Sequence, residues 1–274
     1  MMRRLIILTV LLGVSGSSFA QFGGGRGRWG RSRDFDRISV DRNGVPNWEV
    51  DPEFPQDNFT FVRLRYDSYR RGWGWHTDYP DSDLNFSFRL QQLTSLKVNP
   101  DPIYIDLSDP KLFDYPMIYI IEPGGGLGLT DEDVKTLKRY IANGGFVFVD
   151  DFWGEAEWYG FFQDISRVFD GREPQELPLE HPVFHIVYDL EKKPQIPSIQ
   201  WLYSGRTYER FDAQTPHYRA YVDDDGGLQM IICHNTDLGD GWEREGEDER
   251  YFREFSEKWA YPLGINILFY AMTH

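Results

Sequence analysis

Only one cysteine, Cys233, occurs in 274 residues, so no disulfide can form within the chain, and stability must come from a packed core even in an oxidising compartment. Positive charge is scarce: 29 Lys and Arg stand against 44 Asp and Glu, a formal charge of −15 at neutral pH. A surface of that sign repels nucleic-acid phosphates and anionic lipid, which argues against nucleic acid and leaves cations, neutral glycans and basic proteins as partners. Long apolar runs are missing too. The most apolar stretch, Leu5–Val14, has ten residues, whereas a spanning helix needs about eighteen, so no transmembrane segment is predicted. No Ser stands in a GxSxG elbow, and neither HExxH nor EF-hand spacing occurs, which removes the commonest hydrolase and metal-loop signatures.

What is present begins with MMRRLIILTVLLGVSGSSFA. Two arginines, an apolar run and small residues ending at Ala20 form the three-part pattern of a secretory signal, which predicts a periplasmic or secreted protein with residues 1–20 removed. Residues 21–57 follow as a Gly/Arg-rich arm. Its first part, QFGGGRGRWGRSRDFDRISVDRNG, has little to bury and is expected to be flexible. Residues 58–274 have the density of apolar residues that one sizeable domain requires, and no internal repeat.

In TFVRLRY, Val62, Leu64 and Tyr66 alternate with Arg63 and Arg65, which reads as a strand with one wet face. Between Asp83 and Leu96, Phe86, Leu90 and Leu93 share one helical face. IYIDL from Ile103 and MIYII from Met117 suit buried strands. Thr130 then caps a helix with an acidic first turn and a stripe of Val134, Leu137 and Ile141, ended by Asn143-Gly144-Gly145; FVFV from Phe146 is the next strand. The order strand, helix, strand, strand, helix, strand predicts an α/β fold with a mostly parallel sheet covered on both faces. A hairpin turning at Asp223–Gly227, and two closing helices around 251–259 and after Pro262, complete the expectation.

Three polar clusters lie just past apolar strands: WGWHTDYPDSD after the first, Asp150-Asp151-Phe152-Trp153-Gly154 after FVFV, and His234 to Glu243 after MIIC. In open α/β sheets, ligands bind outside the carboxyl ends of the strands, so these clusters are candidate walls of one crevice. The competing reading is that strand ends are polar wherever the backbone leaves the core. The candidate ligand-binding residues are His76, Asp78, Asp150, Asp151, Trp153, His234, Asp237, Asp240 and Trp242. Asp and His would supply directional hydrogen bonds, while Trp153 and Trp242 would stack on a sugar ring or cationic group. Aromatics crowd the same stretches: Trp73, Trp75, Tyr79, Phe152, Trp158 and Tyr159. Side chains alternate along a strand, so at most one of Asp150 and Asp151 is expected to face the crevice, the other capping the next turn. A divalent metal would suit the oxygen and nitrogen donors, yet their spacing matches no metal motif, and no cofactor is predicted. His181 and His185 in HPVFH are expected in a turn followed by an edge strand, not in a zinc site, because Pro182 separates them. Gly124–Gly128 fails as a phosphate cradle, since Leu129 occupies the third glycine position and three acids follow. Cys233 lies inside a strand as a small apolar group.

The segments YDSYRRGWGWHTDYPDSDLNFSFRLQQLT, LSDPKLFDYPMIYI, GGFVFVDDFWG, LEHPVFH, CHNTDLGDGWE and YPLGINILFYAMTH resemble the bacterial domain of unknown function family 4159 from about Asn58 to His274. The resemblance implies a flavodoxin-like three-layer sandwich similar to class I glutamine amidotransferase-like and trehalose-utilisation-like proteins, with an extra β-hairpin. It also implies an envelope-assembly setting with envelope protein partners. The glycine-flanked Cys elbow of the amidotransferases is not present, so glutaminase chemistry is not expected. Three functions follow as expectations: binding of a glycan or cell-envelope component in the crevice, metal-assisted hydrolysis with His234 or Asp151 as general base, or scaffolding in an envelope complex.

Overall fold

The β-strands form one seven-stranded sheet in the order β2-β1-β3-β4-β7-β6-β5. They are β1 Val62–Arg65, β2 Ile103–Asp106, β3 Met117–Ile121, β4 Phe146–Asp150, β5 Gln175–Glu176, β6 His217–Val222 and β7 Leu228–His234. The computed structural model describes residues 42–53, 57–67 and 74–274. The expected signal (1–20), most of the expected arm and Trp73 lie outside the described residues. β2, β1, β3, β4 and β7 are parallel neighbours, whereas β6 runs antiparallel to β7 and β5 to β6. The fold is therefore α/β with a mixed, mostly parallel sheet. The hairpin between β6 and β7 closes where Asp223 Oδ1 accepts the amides of Asp225 and Gly227.

Strand alternation divides the interior into two cores. Met117, Tyr119, Ile121, Phe146, Phe148, Ile231 and Cys233 face one side; Val62, Leu64, Ile118, Ile120, Val147, Val149, Met230 and Ile232 face the other. The second side is covered by α2, Asp131–Ala142, and α3, Gly154–Val168, through residues such as Leu137, Phe161 and Ile165. The first is covered by α1, Asp81–Leu93, together with elements after β7. α4, Trp201–Ser204, is a single turn. α5, Leu238–Glu243, and α6, Glu249–Tyr251, lead into a π-helix, Phe252–Ala260, that continues as α7, Tyr261–Thr273. Among the described residues no helix is long and apolar enough to cross a membrane.

Local chemistry accounts for the helix ends. Thr130 Oγ1 accepts the Asp133 amide while Asp133 accepts the Thr130 amide, a reciprocal cap that fixes the start of α2. Four expectations need correction. Leu93 is half exposed, because α1 ends there and its stripe runs through Phe86 and Leu90. Trp158 and Tyr159, grouped with the aromatics of the strand-end stretches, lie instead on the helix α3. Pro182–Phe184 is a 3-10 turn: the Val183 amide donates to His181 Nδ1, and no edge strand follows. The arm boundary at 57 falls too late, since Trp48 Nε1 donates to the Val98 carbonyl and Arg42 binds Pro100 O and Asp101, which pins residues 42–48 to the domain.

The chain leaves β1 for β2 on one side and resumes at β3 on the other. The connections diverge there, which opens a crevice past the carboxyl ends of β1 and β3.

Candidate functional site

A cavity of about 480 Å³ occupies that crevice and extends over the ends of β4 and β7. Its wall carries seven carboxylates, from Asp78, Glu122, Asp151, Glu157, Glu209, Asp237 and Asp240, against two guanidinium groups, from Arg210 and Arg244. That imbalance favours a cationic occupant.

Each central acid is aimed by its own loop. Asp151 directly follows β4 with φ +56, and α3 begins three residues later, so the carboxyl is set on a sharp strand-to-helix turn. Trp153 Nε1 donates to its Oδ1 at 2.9 Å. Asp237 caps α5, its Oδ1 accepting the Asp240 amide at 2.7 Å. Stitches to the preceding loop hold this segment: Ile196 donates its amide to Thr236 Oγ1, and its carbonyl accepts the Asp237 amide. Asp78, φ +59, lies in the turn between β1 and α1. Glu122 and Asn235, at φ +55 and +62, also lie at strand ends beside the crevice, so four of the six described non-glycine residues with positive φ gather here. Asp and Asn tolerate this region, whereas Glu does so at greater cost, and such clustering is typical of sites where geometry overrides local preference.

One oxygen from each of Asp78, Asp151 and Asp237 lies within 4.8 Å of the others. Asp78 also approaches Asp240 and Glu243 within the same limit. The two groups differ electrically. Asp240 is paired with Arg244 Nε at 2.9 Å and accepts the Ile199 amide at 2.6 Å, and Glu243 pairs with Arg244 at 2.7 Å. No Arg or Lys pairs with Asp78, Asp151 or Asp237 among the described residues, and Asp78 Oδ2 is buried without a hydrogen-bond partner. All three carboxyls are held well above the usual carboxylate range. Burial is the largest cause, followed by neighbouring acids: Asp240 for Asp78, Glu122 for Asp151 and Asp151 for Asp237. Burial also lifts Glu243 to about 7. Three inward carboxyls can, once deprotonated, hold a hard cation through oxygen donors.

The turn that carries Asp78 is held by a buried ion pair, Arg63 with Asp83, that the strand alternation gave no reason to single out. Arg63 on β1 donates to both oxygens of Asp83, to Ser82 Oγ and to the carbonyls of Trp75 and Thr77. It thereby anchors the turn that presents Asp78. Read as a wet-face residue, Arg63 is fully buried instead.

The remaining sequence-derived candidates have other places. Asp150 points away from the cavity: its Oδ2 accepts the Tyr119 hydroxyl at 2.8 Å and the amides of Leu238 and Gly239 at 2.9 and 3.0 Å, which holds the start of α5 against β4. His234 is buried against Phe152, accepting from Arg219 at Nδ1 and donating from Nε2 to the Gly154 carbonyl. Burial pushes it down to about 3, so it stays neutral and structural. His76 is exposed outside the cavity wall. Trp153 is buried, serving Asp151 with its indole N–H. Trp242 is also buried, with Phe61, Phe86, Tyr119 and Phe148 around it, so neither tryptophan offers a face to a ligand in this crevice. Glu122, Glu209, Arg210 and Arg244 were missed. Glu122 is the first residue past β3, so the strand-end rule applied to MIYII would have found it; Arg244 directly follows the His234–Glu243 cluster at the end of α5, and Glu209 and Arg210 come from a loop with no local signal. The glycine-rich turn after β3 has its Leu127 and Gly128 amides taken by Asp164 Oδ2, which leaves no phosphate cradle there.

Sheet and crevice together define an α/β domain with an acidic ligand-sized cavity at the carboxyl ends of its parallel strands. The model of the family described as a domain of unknown function (DUF4159) matches residues 60–272, and the chain belongs to that family. No curated protein matches it.

Proposed function

We propose that this protein is an exported ligand-binding domain whose crevice holds a hard divalent cation on Asp78, Asp151 and Asp237. The cation would present open coordination positions to an oxygen-rich ligand, a glycan or another cell-envelope component. One observation carries this reading: three carboxylates from three separate loops converge within 4.8 Å, and among the described residues none of them pairs with an Arg or Lys. Arg244 and Arg210 would flank the ligand. Export rests on the first twenty residues, and placement in the periplasm or outside the cell follows from it. The parallel strands, in the order β2-β1-β3-β4-β7, support kinship with flavodoxin-like and class I glutamine amidotransferase-like folds, whose strands run 2-1-3-4-5. Glutaminase chemistry has no support, since the one thiol, Cys233, is buried within β7.

A second reading, metal-assisted hydrolysis, is favoured by Asp151 on its strained strand-to-helix turn, the kind of position from which enzymes present a nucleophile or base. Calorimetric titration of chelator-treated protein with calcium and magnesium tests the cation. Stoichiometric binding lost in Asp151→Asn is expected; equal binding by that variant would remove the proposal. Metal-dependent turnover of ester or glycoside probes, abolished in Asp151→Asn, would move the reading to the hydrolase.

A further inference from the structure

A second cavity of about 430 Å³ opens beside the acidic one and shares a wall with it, formed by Ser198, Gln200 and Glu209. Its character is different. Trp201, Tyr203 and Tyr208 line it, whereas no aromatic side chain lines the acidic cavity among the described residues. Trp201 is set in orientation by an edge contact with Phe255 at 4.8 Å and by the Arg250 guanidinium at 4.5 Å. Tyr203 is 86% exposed, whereas most large apolar side chains of the domain are buried. Gly205, with φ +67, ends α4 in the left-handed conformation that turns the chain around this pocket.

We propose that this groove is a saccharide subsite continuous with the acidic crevice, so that one glycan would lay a ring on Trp201, Tyr203 or Tyr208 and extend hydroxyl groups past Glu209 toward the cation. The proposal rests on the crevice being a ligand site. Several observations select this class of ligand. A purely apolar molecule would strip water from the exposed Gln200 and Glu209 without offering either a hydrogen bond in return. A phosphate-bearing or acidic one would meet the carboxylates of the adjoining wall. A sugar ring has an apolar face that stacks on a flat aromatic side chain, while its edge hydroxyls donate to carboxylates and accept from amides. Each cavity lies within the 300–1,000 Å³ range of ligand pockets, and joined they accommodate more than one ring.

The test is an array of neutral, amino and acidic oligosaccharides probed with the full chain in calcium, in magnesium and in chelator, alongside Tyr203→Ala and Tyr208→Ala. Capture of at least one glycan class, weakened tenfold or more in the tyrosine variants while their melting temperatures and cation titrations stay unchanged, is the expected result. Absence of any captured glycan, or variants that bind within twofold of the parent, would overturn the subsite; so would selective capture of peptides from a parallel peptide array. The two readings fail separately. Glycan capture that survives both chelator and Asp151→Asn keeps the groove and removes the cation, whereas cation binding with no glycan captured does the reverse.

Discussion

If Asp78, Asp151 and Asp237 were all ionised with nothing between them, each pair, no more than 4.8 Å apart, would repel by at least about 3.5 kcal/mol at an effective dielectric near 20. Three pairs would give roughly 10 kcal/mol, comparable with the whole stability of a typical domain, about 5–15 kcal/mol. The cluster must therefore hold protons or a cation. With raised folded-state values, the three carboxyls stabilise the apo protein below the ordinary carboxylate range, near pH 4. As pH rises from there, the unfolded chain releases these protons first, so apo stability falls through the window up to the raised folded values. A cation replaces the protons, and its stabilising effect grows over the same window. At 100 times its dissociation constant it should add about 2.7 kcal/mol. For a domain of this size that is roughly 5–11 °C in melting temperature. Asp151→Asn keeps an oxygen for the Trp153 indole and removes one charge. It should raise the apo melting temperature at pH 8 and eliminate most of the cation shift. Scanning calorimetry of chelator-treated protein at pH 5 and pH 8, with and without calcium or magnesium, measures both effects. A cation shift absent at both pH values, or undiminished in Asp151→Asn, would refute the reasoning.

Other parts of the site make separate predictions. A methyl at Gly239 would come within 2.8 Å of Asp78 Oδ2, so Gly239→Ala should push that carboxylate aside and weaken cation binding by roughly 10–100-fold, with a stability change of no more than about 1–3 kcal/mol. Titration calorimetry and denaturant melts separate the two effects, and unchanged cation affinity would contradict the placement of Asp78. Asp83→Asn leaves Arg63 buried with an uncompensated charge and should lower stability by about 3–5 kcal/mol in urea unfolding; a change below about 1 kcal/mol would show that the pair does not anchor the turn. His234, held near 3 against an ordinary value of about 6.5, contributes stability that is present above pH 6.5 and lost as pH falls toward 3. His234→Gln should flatten that loss between pH 6.5 and 4 in urea melts; parallel pH profiles for the two proteins would exclude it.

Much of the architecture was legible because it is written in local patterns. The alternation of short apolar strands with capped, amphipathic helices identified β1 through β4, α1 and α2, and the Asp223–Gly227 turn marked the β6–β7 hairpin. The rule that polar residues past parallel strands face a shared crevice brought Asp78, Asp151 and Asp237 onto one candidate surface. It could not separate Asp150 from Asp151, because that choice depends on which face of β4 the crevice and α5 occupy. α3 was obscured by its aromatics, which resemble a binding loop until Phe161 and Ile165 are seen packed under the sheet.

Composition and periodicity by themselves determined an acidic, disulfide-free α/β domain with its polar clusters at strand ends, since these properties depend on neighbours within a few residues. Only the tertiary structure decided that Trp242 and His234 are interior, that Arg63 is a buried anchor, and that the loop from Ser198 to Arg210 closes the cavity. Those outcomes depend on which distant segments exclude water from a side chain, and that is a property of the packed chain.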